Sequence, residues 1–144
     1  MRSIDRLRAR YRRSRAHELD DLRFRIGQAA LMSQRGAHSS FKRLWDEEVK
    51  IFSQWGEHGI LEFLCDVTDL ARPRILELGA GNFSECNSRF LAENRCASLM
   101  AVDASEDLVE VVTQLPVYWR TTVLPRVEWI TPDSAPALMQ DAQR

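Results

Sequence analysis

The stretch Arg74-Ile75-Leu76-Glu77-Leu78-Gly79-Ala80-Gly81-Asn82-Phe83-Ser84, read with Ser98-Leu99-Met100-Ala101-Val102-Asp103-Ala104-Ser105, decides the fold. The first is an apolar run that ends in a glycine turn. The second is an apolar run that ends in a carboxylate. The interval between them suits one crossover helix, over 87–94, with Phe90 and Leu91 turned inward. Strand, glycine turn, helix and a second parallel strand make one βαβ unit. Strands are expected over 74–79, 98–103 and 127–130. They should lie parallel in the spatial order 3-2-1, with right-handed crossovers and helices on both faces.

Downstream, Glu106 to Leu115 reads as a helix stopped at Pro116, and Thr131-Pro132-Asp133-Ser134 opens a last helix. Upstream, Ser53 is expected to cap a helix with Gly56 and Glu57 in its first turn. Ile60, Leu61, Phe63, Leu64, Val67 and Leu70 would be its buried face. Phe41, Leu44, Trp45, Val49 and Phe52 read as a helical apolar stripe in the core. Neither Gly nor Pro interrupts residues 2–26. There Ile4, Leu7 and Tyr11, then Leu19, Leu22, Ile26 and Ala29 or Ala30, recur at helical spacing. One or two amphipathic helices are expected, with a linker or helix stop at 36–40. The chain thus divides into a basic helical extension, 1–40, and an α/β domain, 41–144.

A length of 144 residues suits one domain, and 44% hydrophobic with 28% charged residues is ordinary for a soluble globular protein. No apolar run reaches the 18 residues that a membrane-crossing helix needs. The basic N-terminus lacks the apolar segment of a secretory leader. Cys65, Cys86 and Cys96 form neither an even set nor a C-x-x-C pair, so a reducing, cytoplasmic setting is expected. The net charge of -1 conceals a segregation. Residues 1–45 carry twelve Lys/Arg against four Asp/Glu, a net +8, and residues 46–144 carry eight against seventeen, a net -9. The basic extension reads as a solvated helix packed on the domain. A sharper reading is weak contact with an anionic surface, lipid or nucleic acid. Tyr11 is the sole aromatic among its first arginines, which counts against a platform for single strands.

Gly79 and Gly81 let the backbone turn sharply and approach a ligand without a Cβ in the way. Asp103, about twenty residues on, stands where a carboxylate can accept both ribose hydroxyls of a nucleoside. This chemistry serves both dinucleotides and S-adenosylmethionine. Glu77, two residues before the first glycine, would repel a pyrophosphate but suits a cofactor with an amino group and a sulfonium. Ser84 stands where a dinucleotide fingerprint wants glycine. S-adenosylmethionine is therefore favoured over a dinucleotide. A turn that binds nothing is the third reading.

Several segments in order resemble the FkbM-type class I methyltransferases. They are Ser53-Gln54-Trp55-Gly56-Glu57-His58-Gly59-Ile60-Leu61-Glu62, Ile75-Leu76-Glu77-Leu78-Gly79-Ala80-Gly81, Glu85-Cys86-Asn87-Ser88-Arg89 and Val102-Asp103-Ala104. The resemblance spans about 50–135. It implies a Rossmann-like fold, S-adenosylmethionine as cofactor, and a hydroxyl of a sugar, glycan or small molecule as acceptor. It places Glu77, Gly79 and Gly81 at the methionine part and Asp103 at the ribose. Gln54 and Glu57 would lie near the mouth, and Asn87 at the start of the crossover helix. It assigns no catalytic residue. His17, His38 and His58 stand far apart and in no metal-ligand spacing, so no metal is expected. Phe83 stands where the family turn has glycine, where its ring could fill space the methionine moiety needs, and His58 where the family has an acid. Of the usual strand order 3-2-1-4-5-7-6, only strands 3, 2 and 1 are seen. The expectation is therefore a truncated domain with strand 1 as an exposed edge, and little turnover unless a partner chain supplies the missing strands. A non-catalytic, partner-binding remnant and a dinucleotide-binding fragment are the other two function readings.

Overall fold

Three strands, β1 (Arg74–Leu78), β2 (Ser98–Asp103) and β3 (Thr122–Val127), form one parallel sheet in the order β1-β2-β3. The computed structural model describes residues 2–35, 43–114 and 121–143. Five α-helices lie among the described residues: α1 (Arg2–Arg35), α2 (Glu57–Val67), α3 (Arg89–Arg95), α4 (Asp107–Gln114) and α5 (Ala135–Asp141). The class is α/β with helices flanking a parallel sheet, a partial Rossmann-like arrangement. No described helix is long and apolar enough to cross a membrane.

The register aligns Ile75, Leu99 and Val123 on one face. That face packs against Ala92 of α3, Leu108 and Val112 of α4, and the loop residues Ala80, Phe83 and Cys86. α3 and α4 therefore lie on the same side of the sheet, as two successive crossovers of one hand in one direction require. The opposite face carries Leu76, Met100 and Leu124, and Asp141 and Ala142, at the end of α5, border it.

The third strand begins five residues earlier than 127–130. Pro125 hides it, because proline removes a ladder donor and argues against a strand. Glu128 N–H donates to the Asp103 carbonyl at 2.9 Å, so alternate positions back from Glu128 face β2 and Pro125 faces outward. The missing N–H therefore falls on the free edge, where proline is tolerated.

The second core lies between α1 and α3. Phe24 and Leu31 join Phe52 and Phe90, and the Phe24 and Phe90 rings sit 5.2 Å apart. Arg89 is buried beside them. Its guanidinium lies 4.0 Å over the Phe52 ring and pairs with Asp20 at 2.8 Å and Glu93 at 3.1 Å. Phe90 and Leu91 face inward as expected. Glu62 of α2, 1% exposed, accepts from Arg95 Nε at 3.0 Å, Arg35 at 3.2 Å and Asn94 at 2.9 Å. Asn94 in turn accepts from Gln28 at 2.9 Å.

Three apolar stripes of the sequence do not coincide with the buried faces. On α1 the buried positions are Phe24, Gly27 and Leu31, whereas Leu19, Leu22 and Ile26 are exposed. On α2 the buried positions are His58, Gly59, Glu62 and Cys65, and Leu64, Val67 and Leu70 face out. The segment after Arg43 is a short 3-10 helix, Leu44–Glu47, followed by irregular chain, with Leu44 and Trp45 exposed and Phe52 buried. It lies across the start of α2, held by Val49 N–H to the Gly56 carbonyl at 3.0 Å. Gly59 permits this approach, since a Cβ there would collide with the Glu47 carbonyl and the Val49 nitrogen. Ser53 does not cap α2, which begins at Glu57 behind Gly56. The expected stop at 36–40, Phe41 of the stripe and Pro116 lie outside the described residues.

Phe24→Ala should cost about 3–5 kcal/mol in urea denaturation, the range for deleting a packed ring. A change within about 0.5 kcal/mol, as for a surface site, would show that α1 adds nothing to the core.

Candidate functional site

The glycine turn leaves β1 at its C-terminal end, where open parallel sheets bind ligands. Gly79 and Gly81 have φ of 80° and 55°, a region that favours glycine. A Cβ on either would meet no atom within 4 Å, so open space lies above both. Gly79 and Ala80 N–H groups donate to the Val102 carbonyl at 2.9 and 3.1 Å, which ties the turn to β2. Asp103 ends β2 and completes the tie. Its Oδ2 accepts from Gly81 N–H at 2.8 Å and its Oδ1 from Ser105 N–H at 2.9 Å. Gly79, Gly81 and Asp103 thus come together. Each carboxylate oxygen keeps a lone pair for a further donor.

Glu77 lies beside them on β1 and faces the loop before α3. Its Oε1 accepts from Asn87 N–H at 3.3 Å and its Oε2 from Ser88 N–H at 3.1 Å. Asn87 is therefore held by its backbone, and Glu77 fixes where α3 begins. The third group is the segment expected at the mouth, Gln54 and Glu57. Gln54 Nε2 donates to Glu85 Oε2 at 3.1 Å, and Trp55 N–H donates to Glu57 Oε2 at 3.1 Å. Burial pushes the Glu57 carboxyl up, but hydrogen bonds from backbone N–H groups and Ser53 outweigh it and hold it below the usual range.

His58 joins the mouth to the loop and was not read as a site residue. It is fully buried. Nδ1 accepts from Phe52 and Ser53 N–H at 3.3 Å each, and Nε2 lies 3.2 Å from the Cys86 carbonyl. That pattern requires a neutral ring with its proton on Nε2. Burial lowers its pKa to about 4. The signal available in sequence was its place between Glu57 and Gly59, where polar residues would suggest solvent.

Phe83 has φ of 60°, a backbone that favours glycine, under a bulky side chain. Its ring is 1% exposed and packs in the sheet-side core. It fills the protein interior. Cys86 is buried too, and burial pushes its thiol up to about 11, which suits a packing residue and not a nucleophile.

The arrangement leaves acceptor lone pairs of Asp103 beside the open space over Gly79 and Gly81, with the Glu77 carboxylate on the neighbouring end of β1. Comparison with protein-family models, curated proteins and solved structures finds no match to this chain.

Two outcomes are expected. Unfolded histidine titrates near 6.5 and folded His58 near 4, so its contribution is complete above 6.5 and is lost as pH falls toward 4. Stability by urea should drop by about 2 kcal/mol between pH 7 and 5, and His58→Gln should remove that slope. A flat wild-type profile would mean that the ring protonates without strain. Phe83→Gly relieves the left-handed backbone but deletes a packed ring, for a net loss of about 2–4 kcal/mol. An unchanged urea midpoint would place the ring outside the core.

Proposed function

We propose that the chain binds S-adenosylmethionine as a methyltransferase domain and directs methyl transfer to a hydroxyl of a sugar, glycan or other small molecule. The observation that carries this reading is the open space above Gly79 and Gly81, bordered by Asp103, which is 2.8 Å from the Gly81 nitrogen. Asp103 would hold the two ribose hydroxyls on its remaining lone pairs. Gly79 and Gly81 would admit the nucleoside at close range. Glu77 supplies negative charge beside the turn, which favours an ammonium and a sulfonium and disfavours a pyrophosphate, so a dinucleotide is the weaker reading. Gln54, Glu57 and Glu85 would border the entrance. The cofactor, when bound, supplies an electrophilic methyl group on sulfur. The chain's own contribution is position, which provides much of the rate in such transfers.

A second reading, a non-catalytic partner-binding module, is favoured by one observation. The outer edge of β1 has no neighbouring strand among the described residues. Calorimetric titration separates the two. S-adenosylhomocysteine should bind, and Asp103→Ala should weaken it by about 1–3 kcal/mol, the worth of a charge-assisted hydrogen bond. A melt of the variant checks that the turn, which Asp103 also ties, remains folded. Absence of binding, tighter binding of NAD, or an unchanged constant in Asp103→Ala would each sink the methyltransferase reading.

A further inference from the structure

α1 has two faces. At about 100° per residue, Phe24, Gly27 and Leu31 project toward the domain, and positions 4, 7, 11, 22 and 26 project about 180° away. Ile4, Leu7, Tyr11, Leu22 and Ile26 are between 53 and 65% exposed, so a long apolar stripe is left uncovered. Every described side chain from 4 to 16 is exposed. Among the described residues nothing covers this face.

We propose that the outer face of α1 is a dimerisation surface that pairs antiparallel with the same face of a second copy. The stripe has a symmetry that fits no other occupant as well. It runs 4, 7, 11, 15, 18, 22, 26, 29, with spacings that read the same from either end. Antiparallel pairing about its centre sets Ile4 against Ala29, Leu7 against Ile26 and Tyr11 against Leu22 of the other copy. At the centre Arg15 meets Glu18, twice. Among the described residues neither has an ion-pair partner; the Arg15 guanidinium lies 6.0 Å from the Tyr11 ring, at the seam. Charge agrees along the whole length. Residues 2–15, with seven arginines and one acid, would lie beside 16–31, with three acids and two arginines. The two domains would sit on outer sides of the pair, clear of each other. An anionic membrane explains the arginines and the stripe but would repel Glu18, which lies in the middle of the stripe. Nucleic acid would use the arginines and leave Leu7, Leu22 and Ile26 in water.

Sedimentation velocity on the full chain tests this. Wild type should be a dimer, and Leu22→Glu should raise the dissociation constant at least about 100-fold, from the loss of two buried leucines. Arg15→Glu gives an all-acid centre and Glu18→Arg an all-basic one, so each alone should be monomeric. Mixed in equal amounts they should form a heterodimer, because each centre now complements the other. In a Cys96→Ser background, a mixture of Leu7→Cys and Ile26→Cys should form the 7–26 disulfide, as antiparallel pairing requires. A wild-type monomer at about 100 µM, whether or not it sediments with phosphatidylserine vesicles, would overturn the proposal. So would a mixture no more associated than its single variants, or cross-linking of 7 to 7.

Discussion

The buried carboxylate of Glu62 is the constraint on which the helical layer depends. It cannot be left uncompensated, since an isolated charge in the interior is expensive. Arg35 comes to it from α1, and Arg95 and Asn94 from α3. Three helices distant in sequence are therefore fixed around one group. Arg95 also donates to the Glu62 carbonyl at 3.0 Å, which holds the end of α3 against the backbone of α2. The other end of α3 is set by Glu77 on β1. The helix behind the glycine turn is thus located at both ends by carboxylates, and the turn inherits that position.

The same logic explains what was legible in the sequence. The β1 turn, β2 and Asp103 were readable because backbone chemistry dictates them: glycine at positive φ, and an acid where β2 ends. The buried faces of α1 and α2 were not. Apolar periodicity assumes that buried means hydrophobic. Here Glu62, Arg89 and His58 occupy interior places, and Leu64, Val67 and Leu22 are left outside. β3 was misplaced because Pro125 looks like a breaker until one knows which way its nitrogen faces. The association of Gly81 with Asp103 matched the spacing, whereas the bonds of Glu77 to α3 and of Gln54 to Glu85 depend on a loop path that spacing does not encode.

His58 bridges two loop segments. One neutral ring accepts from the 52–53 backbone and reaches the Cys86 carbonyl, so the segment bearing Gln54 and the segment bearing Glu85 are tied together. An acid at this position would be charged and would lack the donor for Cys86. The histidine at this position is therefore an internal brace.

The two borders of the sheet are chemically unequal. β3 turns Pro125 outward, so a donor is missing from that border. Gly79 N–H faces β2, so Leu76 and Leu78 present both their N–H and C=O groups on the outer border of β1. Growth of the sheet is therefore directional. A strand can be accepted beside β1 and is opposed beside β3. The receptive border is also the one from which the glycine turn emerges, so whatever pairs there becomes a wall of the candidate site and sets its depth.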